Sequence, residues 1–391
     1  MSRTLKVILW LLITSGFVFG FAGMVFSDQS PLVDTPNPDT YQFQRLHIFL
    51  FNLVSGGSVL LYFTEGNRKL SWKGSVFLLG SIAYALAAFF NQYLLASMMA
   101  IGLAGIVELI RVHRFSIFPL DFFKTAIPVA RKFHQAALLC LSLGLLISAF
   151  VMLNNDYLHI FNQPEMILND FFLGFSFPIS LLTFSVIFSL AKEDEEKHIR
   201  FLKEISFWII NLGVIIFFIF IIFQVSTMQI VVATLLFSDV LLIFFLFKHD
   251  SKKYEEEKYL VSGILFLVVT SVTGILITLG ETFLPVQEPH SWALLLQIHA
   301  YISLYGWNLT GLMVVIRYRE FPLQLHYWRF ILFHWLVVSL LAPLGNIYPL
   351  FTIVALPAFT WLMGLILFSP GHRISPNQTS EIIVGSSMPK S

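Results

Sequence analysis

The sequence predicts an all-α integral membrane protein of twelve transmembrane helices, with both termini on the cytoplasmic side. Three observations predict it: a composition too apolar for water, twelve apolar runs of spanning length, and basic residues confined to alternate loops. Of 391 residues, 57% are hydrophobic, 16% aromatic and 12% charged, against about 45–50% apolar and about 25% charged in soluble domains. Phe alone supplies 42 residues, and the formal net charge is only +1. An ordinary globular enzyme and a disordered chain are therefore excluded, and nothing attracts a nucleic acid. The lipid bilayer is the first partner.

A span needs about 20 apolar residues. The first run, 5–27, follows Arg3 and Lys6 and resembles a signal peptide. It is longer than a secretory h-region, and Ser27-Asp28 lacks a small-residue cleavage site, so it reads as a retained helix. Runs two to four cover 45–64, 72–90 and 93–112, the last two split only by Asn91 and Gln92. The fifth, 133–153, contains Cys140, the one cysteine, which leaves neither a disulfide framework nor a c-type haem attachment motif. Runs six to nine cover 166–191, 203–223, 226–247 and 259–280, with little more than Gln224, Val225 and Ser226 between the seventh and eighth. Runs 291–316, 327–345 and 347–368 complete the set. Residues 1–368 thus read as one membrane domain, and 369–391 as a polar, disordered cytoplasmic tail.

Loop charge fixes the orientation. With the N-terminus inside, the cytoplasmic segments are 1–5, 65–72, 113–132, 192–203, 248–258, 317–329 and the tail. Together with the adjoining helix ends they hold 23 of the 24 Lys and Arg residues, Arg45 being the exception. The opposite loops 28–44, 154–165 and 281–290 hold none. This is the positive-inside pattern of a multi-pass protein in a bacterial-type plasma (inner) membrane.

Ionisable residues inside the bilayer are costly and are functional candidates by default. His47 lies at the outer end of span 2, in Arg45-Leu46-His47-Ile48-Phe49-Leu50-Phe51-Asn52. His299 lies in the outer half of span 10, in Gln297-Ile298-His299-Ala300-Tyr301-Ile302-Ser303-Leu304-Tyr305-Gly306-Trp307. A neutral imidazole is a strong axial ligand for haem iron, and equally a group that can hydrogen-bond a neighbouring helix. His134 and His326 read as interface anchors, whereas His334 lies deeper. Asp239, near the middle of span 8, is expected to carry a proton or a partner; it could relay protons, bind a cation or make a structural hydrogen bond. Glu108 can pair with Arg111, and Asp170 lies near the outer end of span 6.

At His47 and His299 the chain resembles the catalytic subunit of the haem–copper oxidase superfamily, particularly its nitric-oxide reductase-like branch. That family has twelve helices with both ends cytoplasmic. Its second helix carries Arg-x-His before a Gly-containing apolar stretch, matched here by Arg45-Leu46-His47 and Leu53-Val54-Ser55-Gly56-Gly57. Its tenth helix carries His-x-His followed by an aromatic-Gly, matched here by His299-Ala300-Tyr301 and Tyr305-Gly306. The resemblance implies b-type haem, one or two, on His47 and His299. It also implies that Arg45 pairs with a haem propionate, and that a respiratory or c-type cytochrome subunit is the partner.

Two departures limit what the resemblance implies. Tyr301 stands where the family has the second histidine of helix ten, a ligand of the low-spin haem. Residues two apart on a helix point to nearly opposite sides, so His299 does not easily replace it. A phenol, which ionises only near about pH 10, is a poor substitute, and a retained low-spin site would be five-coordinate or use another residue. Secondly, the family's copper or non-haem iron takes histidines from helices six and seven. Runs six and seven contain none; Phe177-Pro178 stands in the place of a His-Pro, and Asp170 and Asn211 are the nearest polar residues. Neither copper nor non-haem iron is expected. The expected function is electron transfer, redox or gas sensing, or complex assembly, rather than oxygen or nitric-oxide reduction. The alternative is a proton-coupled twelve-helix transporter working through Asp239, although loop 65–72 lacks the major-facilitator signature.

Overall fold

A backbone in hydrocarbon can bond only to itself, so spanning segments close their hydrogen bonds as helices. The computed structural model describes residues 1–26, 43–66, 69–160, 172–190, 197–250, 257–283, 290–318 and 327–370, and every regular element among them is helical. In chain order these are α1 (Arg3–Phe26), α2 (43–65), α3 (Trp72–Phe89), α4 (Tyr93–Arg114), α5 (129–158), α6 (172–189), α7 (Lys197–Ile222), α8 (Ser226–Asp250), α9 (Glu257–Phe283), α10 (290–317), α11 (328–345) and α12 (Pro349–Phe368). Among the described residues, ten helices are long and apolar enough to cross a membrane, and the apolar stretch Gly174–Ser189 of α6 is shorter. The chain is a multi-pass, all-helical membrane protein. Asp170, His326 and the tail beyond Pro370 lie outside the described residues.

Several helices outrun their apolar runs. α7 begins at Lys197 rather than 203, taking in a charged first turn with His198 exposed on it. The two faint breaks in the sequence are sharp in space. Asn91 and Gln224 adopt left-handed φ of 57° and 54°. Behind them, Gln92 N–H donates to Ala87 O at 2.8 Å and Val225 N–H to Phe220 O at 2.9 Å. This is the six-to-one bond of a Schellman stop, and it turns one helix into the next within three residues.

Consecutive helices pack on one another through most of the chain, and α12 returns to α1, so the bundle closes on itself. Inside it, α2 meets α6 and α6 meets α10. Burial separates inner from outer helices: 83% of the α2 span is buried, against 22% for α7. Each inner helix carries a π-helical stretch, at Phe49–Gly57, Phe172–Ser176 and Ile302–Asn308. Such stretches widen the bonding to i→i+5 and often mark functional positions. Small residues let these helices touch. Gly144 of α5 lies against the backbone of Gly174 in α6, and Gly311 of α10 lies against Thr183 of α6. Apolar area gives no preference for helix over lipid, so close packing of this kind holds membrane helices together.

Candidate functional site

His47 sits in α2 just before its π-helical stretch and is buried. Its Nδ1 lies 2.9 Å from the Gly16 carbonyl oxygen of α1 and 3.0 Å from the Tyr305 hydroxyl of α10. A β-carbon at position 20 would come within 2.9 Å of the same nitrogen, so Gly20 is what lets α1 close over the ring. With Nδ1–H donating to the Gly16 carbonyl, the basic lone pair resides on Nε2. An orienting bond of this kind is typical of metal-bound histidine.

His299 turns the other way. Its Nδ1 lies 3.1 Å from the Thr270 carbonyl oxygen and 3.0 Å from Thr273 Oγ1, both on α9. Here too a backbone carbonyl takes Nδ1 and leaves Nε2 as the donor atom. Tyr301, two residues on, faces α1: its ring lies 5.9 Å from Phe21 and 5.9 Å from Tyr305, both nearly parallel, and 6.0 Å from Phe17. Phe17 stacks in turn on Phe359 of α12 at 3.8 Å. His47 shares the Tyr301 side through Tyr305, so the two imidazoles lie on different sides of α10 and do not face each other across one haem.

Arg45 is directed elsewhere. Its Nη1 donates to the Tyr93 hydroxyl of α4 at 3.3 Å, and that hydroxyl donates to Asn91 Oδ1 at 2.8 Å. The arginine therefore braces the α3–α4 turn, whereas His47 engages α1 and α10. Asp239 lies apart from both histidines, between α7 and α8, where Ser206 Oγ donates to Oδ1 at 2.8 Å.

Two links were not singled out from the sequence. Tyr305 joins two histidines: its hydroxyl meets His47, and its carbonyl accepts from His334 Nε2 at 2.7 Å. His334, fully buried on α11, stacks on Tyr259 at 6.1 Å. A neutral polar network also ties α6 to α10. Ser180 Oγ donates to Asn308 Oδ1 at 2.8 Å, Trp307 Nε1 donates to Ser180 Oγ at 2.9 Å, and Asn308 Nδ2 donates to Ser176 Oγ at 2.7 Å. In the sequence Tyr305 stands out only as the aromatic of Tyr305-Gly306, a turn after Tyr301, and neither marks it as a link between histidines. Asn308 and Ser180 are 128 residues apart, and no local pattern couples them.

Among the described residues, no three His, Cys, Asp or Glu side chains come together as a metal centre. An imidazole held through Nδ1 is the donor type that haem iron takes, and His47 and His299 each offer one, held by different helices. Fold and site together define a polytopic helical membrane protein with two oriented imidazoles on its inner helices, His47 buried and His299 half-buried. No family model, no curated protein and no solved structure matches the chain.

Proposed function

We propose that this chain is a divergent relative of haem–copper oxidase subunit I, with twelve spans and both termini cytoplasmic. It holds b-type haem on His299 or His47 and serves electron transfer, redox or gas sensing, or assembly of a respiratory complex. One observation carries this: each imidazole gives Nδ1 to a backbone carbonyl and keeps Nε2 as the donor. Bound there, haem iron supplies a one-electron couple in the outer half of the membrane. The chain's own part is to orient the ligand and keep water away. Thr270 and Thr273 fix the His299 ring from α9, while Gly16, Gly20 and Tyr305 fix His47. Reduction of oxygen or nitric oxide is not part of the proposal, because runs 166–191 and 203–223 carry no histidine for a second metal. A partner respiratory or c-type cytochrome subunit belongs to the same proposal, as does a bacterial-type plasma membrane. A proton-coupled transporter, the alternative, rests on Asp239 alone.

Haem extraction from purified protein tests the assignment. The expected stoichiometry is about one b-type haem per chain, retained in either His47→Ala or His299→Ala and lost in the other. Haem-free protein from cells supplied with haem precursor contradicts it.

A further inference from the structure

The α7–α8 hairpin shows much of its surface to the surroundings of the bundle, yet it seals one carboxyl group inside. Asp239, midway along α8, is 2% exposed. Ser206 serves Oδ1, while Oδ2 is buried with no hydrogen-bond partner. Among the described residues no cation forms a salt bridge with it. Asp239 stands about 20 Å from the Ser226 end of its helix and about 16 Å from the other, at 1.5 Å per residue.

The groups facing it from neighbouring helices are few. α7 and α9 are the main packing partners of α8. On α7, Lys203 is buried one turn before Ser206 on the same face, packed beside Ile243 and Phe247. Glu204 is turned away to Lys132, at 2.7 Å. The charged first turn of α7, with Lys197, His198 and Arg200, lies beyond Lys203 toward the helix start. On α9, Lys258 and Glu281 stand near opposite ends, and Tyr259 stacks against His334. Lys248 of α8 itself lies over the Phe244 ring.

An ionised carboxylate with a single hydrogen bond is poorly supported in such a place, whereas the neutral acid carries no charge to support. A metal cation is a poor alternative, because it needs several oxygen ligands and Asp239 is joined only by Ser206. A structural hydrogen bond to Ser206 accounts for Oδ1 and leaves Oδ2 without a role. We propose that Asp239 is a reversible proton-binding site, a neutral carboxylic acid at rest. It stands independently of the haem assignment.

Dicyclohexylcarbodiimide, a lipid-soluble reagent for protonated carboxyls, tests this on the intact protein in membranes. The acid's proton moves to a carbodiimide nitrogen and its oxygen adds to the central carbon, so peptide mass spectrometry locates the adduct. Wild-type protein is expected to carry the adduct at Asp239. Above the midpoint its rate of formation should fall about tenfold per pH unit, and a water-soluble carbodiimide should not compete. Infrared spectra should show a protonated carboxyl band that is absent in Asp239→Asn and present in Ser206→Ala. No adduct and no band in wild type overturns the proposal, as does a rate that stays flat from about pH 5 to about pH 9. Haem content, measured on the same samples, should be unchanged in Asp239→Asn, so failure of one assignment is distinguishable from failure of the other.

Discussion

Gly311 is where the packing of two inner helices can be tested most sharply. In Gly311→Ala the new β-carbon would run into Thr183 Oγ1 across the α6–α10 contact and lie 2.6 Å from both Cβ and Cγ2 of the same residue. Apolar carbons rest at about 3.5–4.0 Å, so the helices must part by more than about 1 Å or Thr183 must leave its position. Thr183 is held in place: it is fully buried and its Oγ1 donates to the Ile179 carbonyl at 2.9 Å. Overpacking of this kind costs about 1–3 kcal/mol. Parting α6 from α10 also strains the bonds that Ser180 makes with Trp307 and Asn308, which places the value toward the upper end. Unfolding of purified protein in mild detergent, followed by circular dichroism against added denaturing detergent, measures it. Thr183→Gly in the same chain should recover most of the loss, giving a coupling of about 1–3 kcal/mol in a double-mutant cycle. Equal stability of Gly311→Ala and wild type, or no rescue by Thr183→Gly, refutes the α6–α10 contact.

Two further outcomes follow from buried polar groups. Lys132 is 1% exposed and bridges α5 to Glu204 of α7 at 2.7 Å. Lys132→Met should cost about 3–5 kcal/mol by leaving the carboxylate unpaired, and adding Glu204→Leu should recover much of it; equilibrium unfolding of the three variants decides. Asn52, buried in the π-helical stretch of α2, makes no hydrogen bond with either amide atom. Asn52→Leu should therefore raise stability by about 1–3 kcal/mol, and a lower unfolding midpoint for the variant would count against an unsatisfied amide.

The helices were legible in the sequence because lipid imposes a simple rule: long apolar runs, interrupted by charge. Even the faint breaks at Asn91 and Gln224 proved to be stops, since a left-handed residue ends a helix without any glycine or proline. Which helices lie inside was not legible, because an apolar side chain suits lipid and protein equally. α7 is richer in large apolar residues than α2 and yet lies outside. The sequence difference that matters is the small set Ser55, Gly56 and Gly57 in α2, where Gly56 lies against Ile179 and Gly57 against Phe77 and a larger side chain would keep the helices apart. At the candidate site, periodicity placed His299 and Tyr301 on opposite faces of their helix. It could not show that Tyr305 would bridge His47 and His334, because that link joins α2, α10 and α11 through a side-chain hydroxyl and a backbone carbonyl.

The central claim is that an imidazole of this chain binds haem iron. A reduced-minus-oxidised absorption spectrum of the purified protein tests it most directly. The account predicts Soret and α bands of a b-type haem, abolished by alanine at the ligating histidine and preserved in Asp239→Asn. A featureless spectrum from folded, haem-supplied protein, or bands that survive both His47→Ala and His299→Ala, would contradict it.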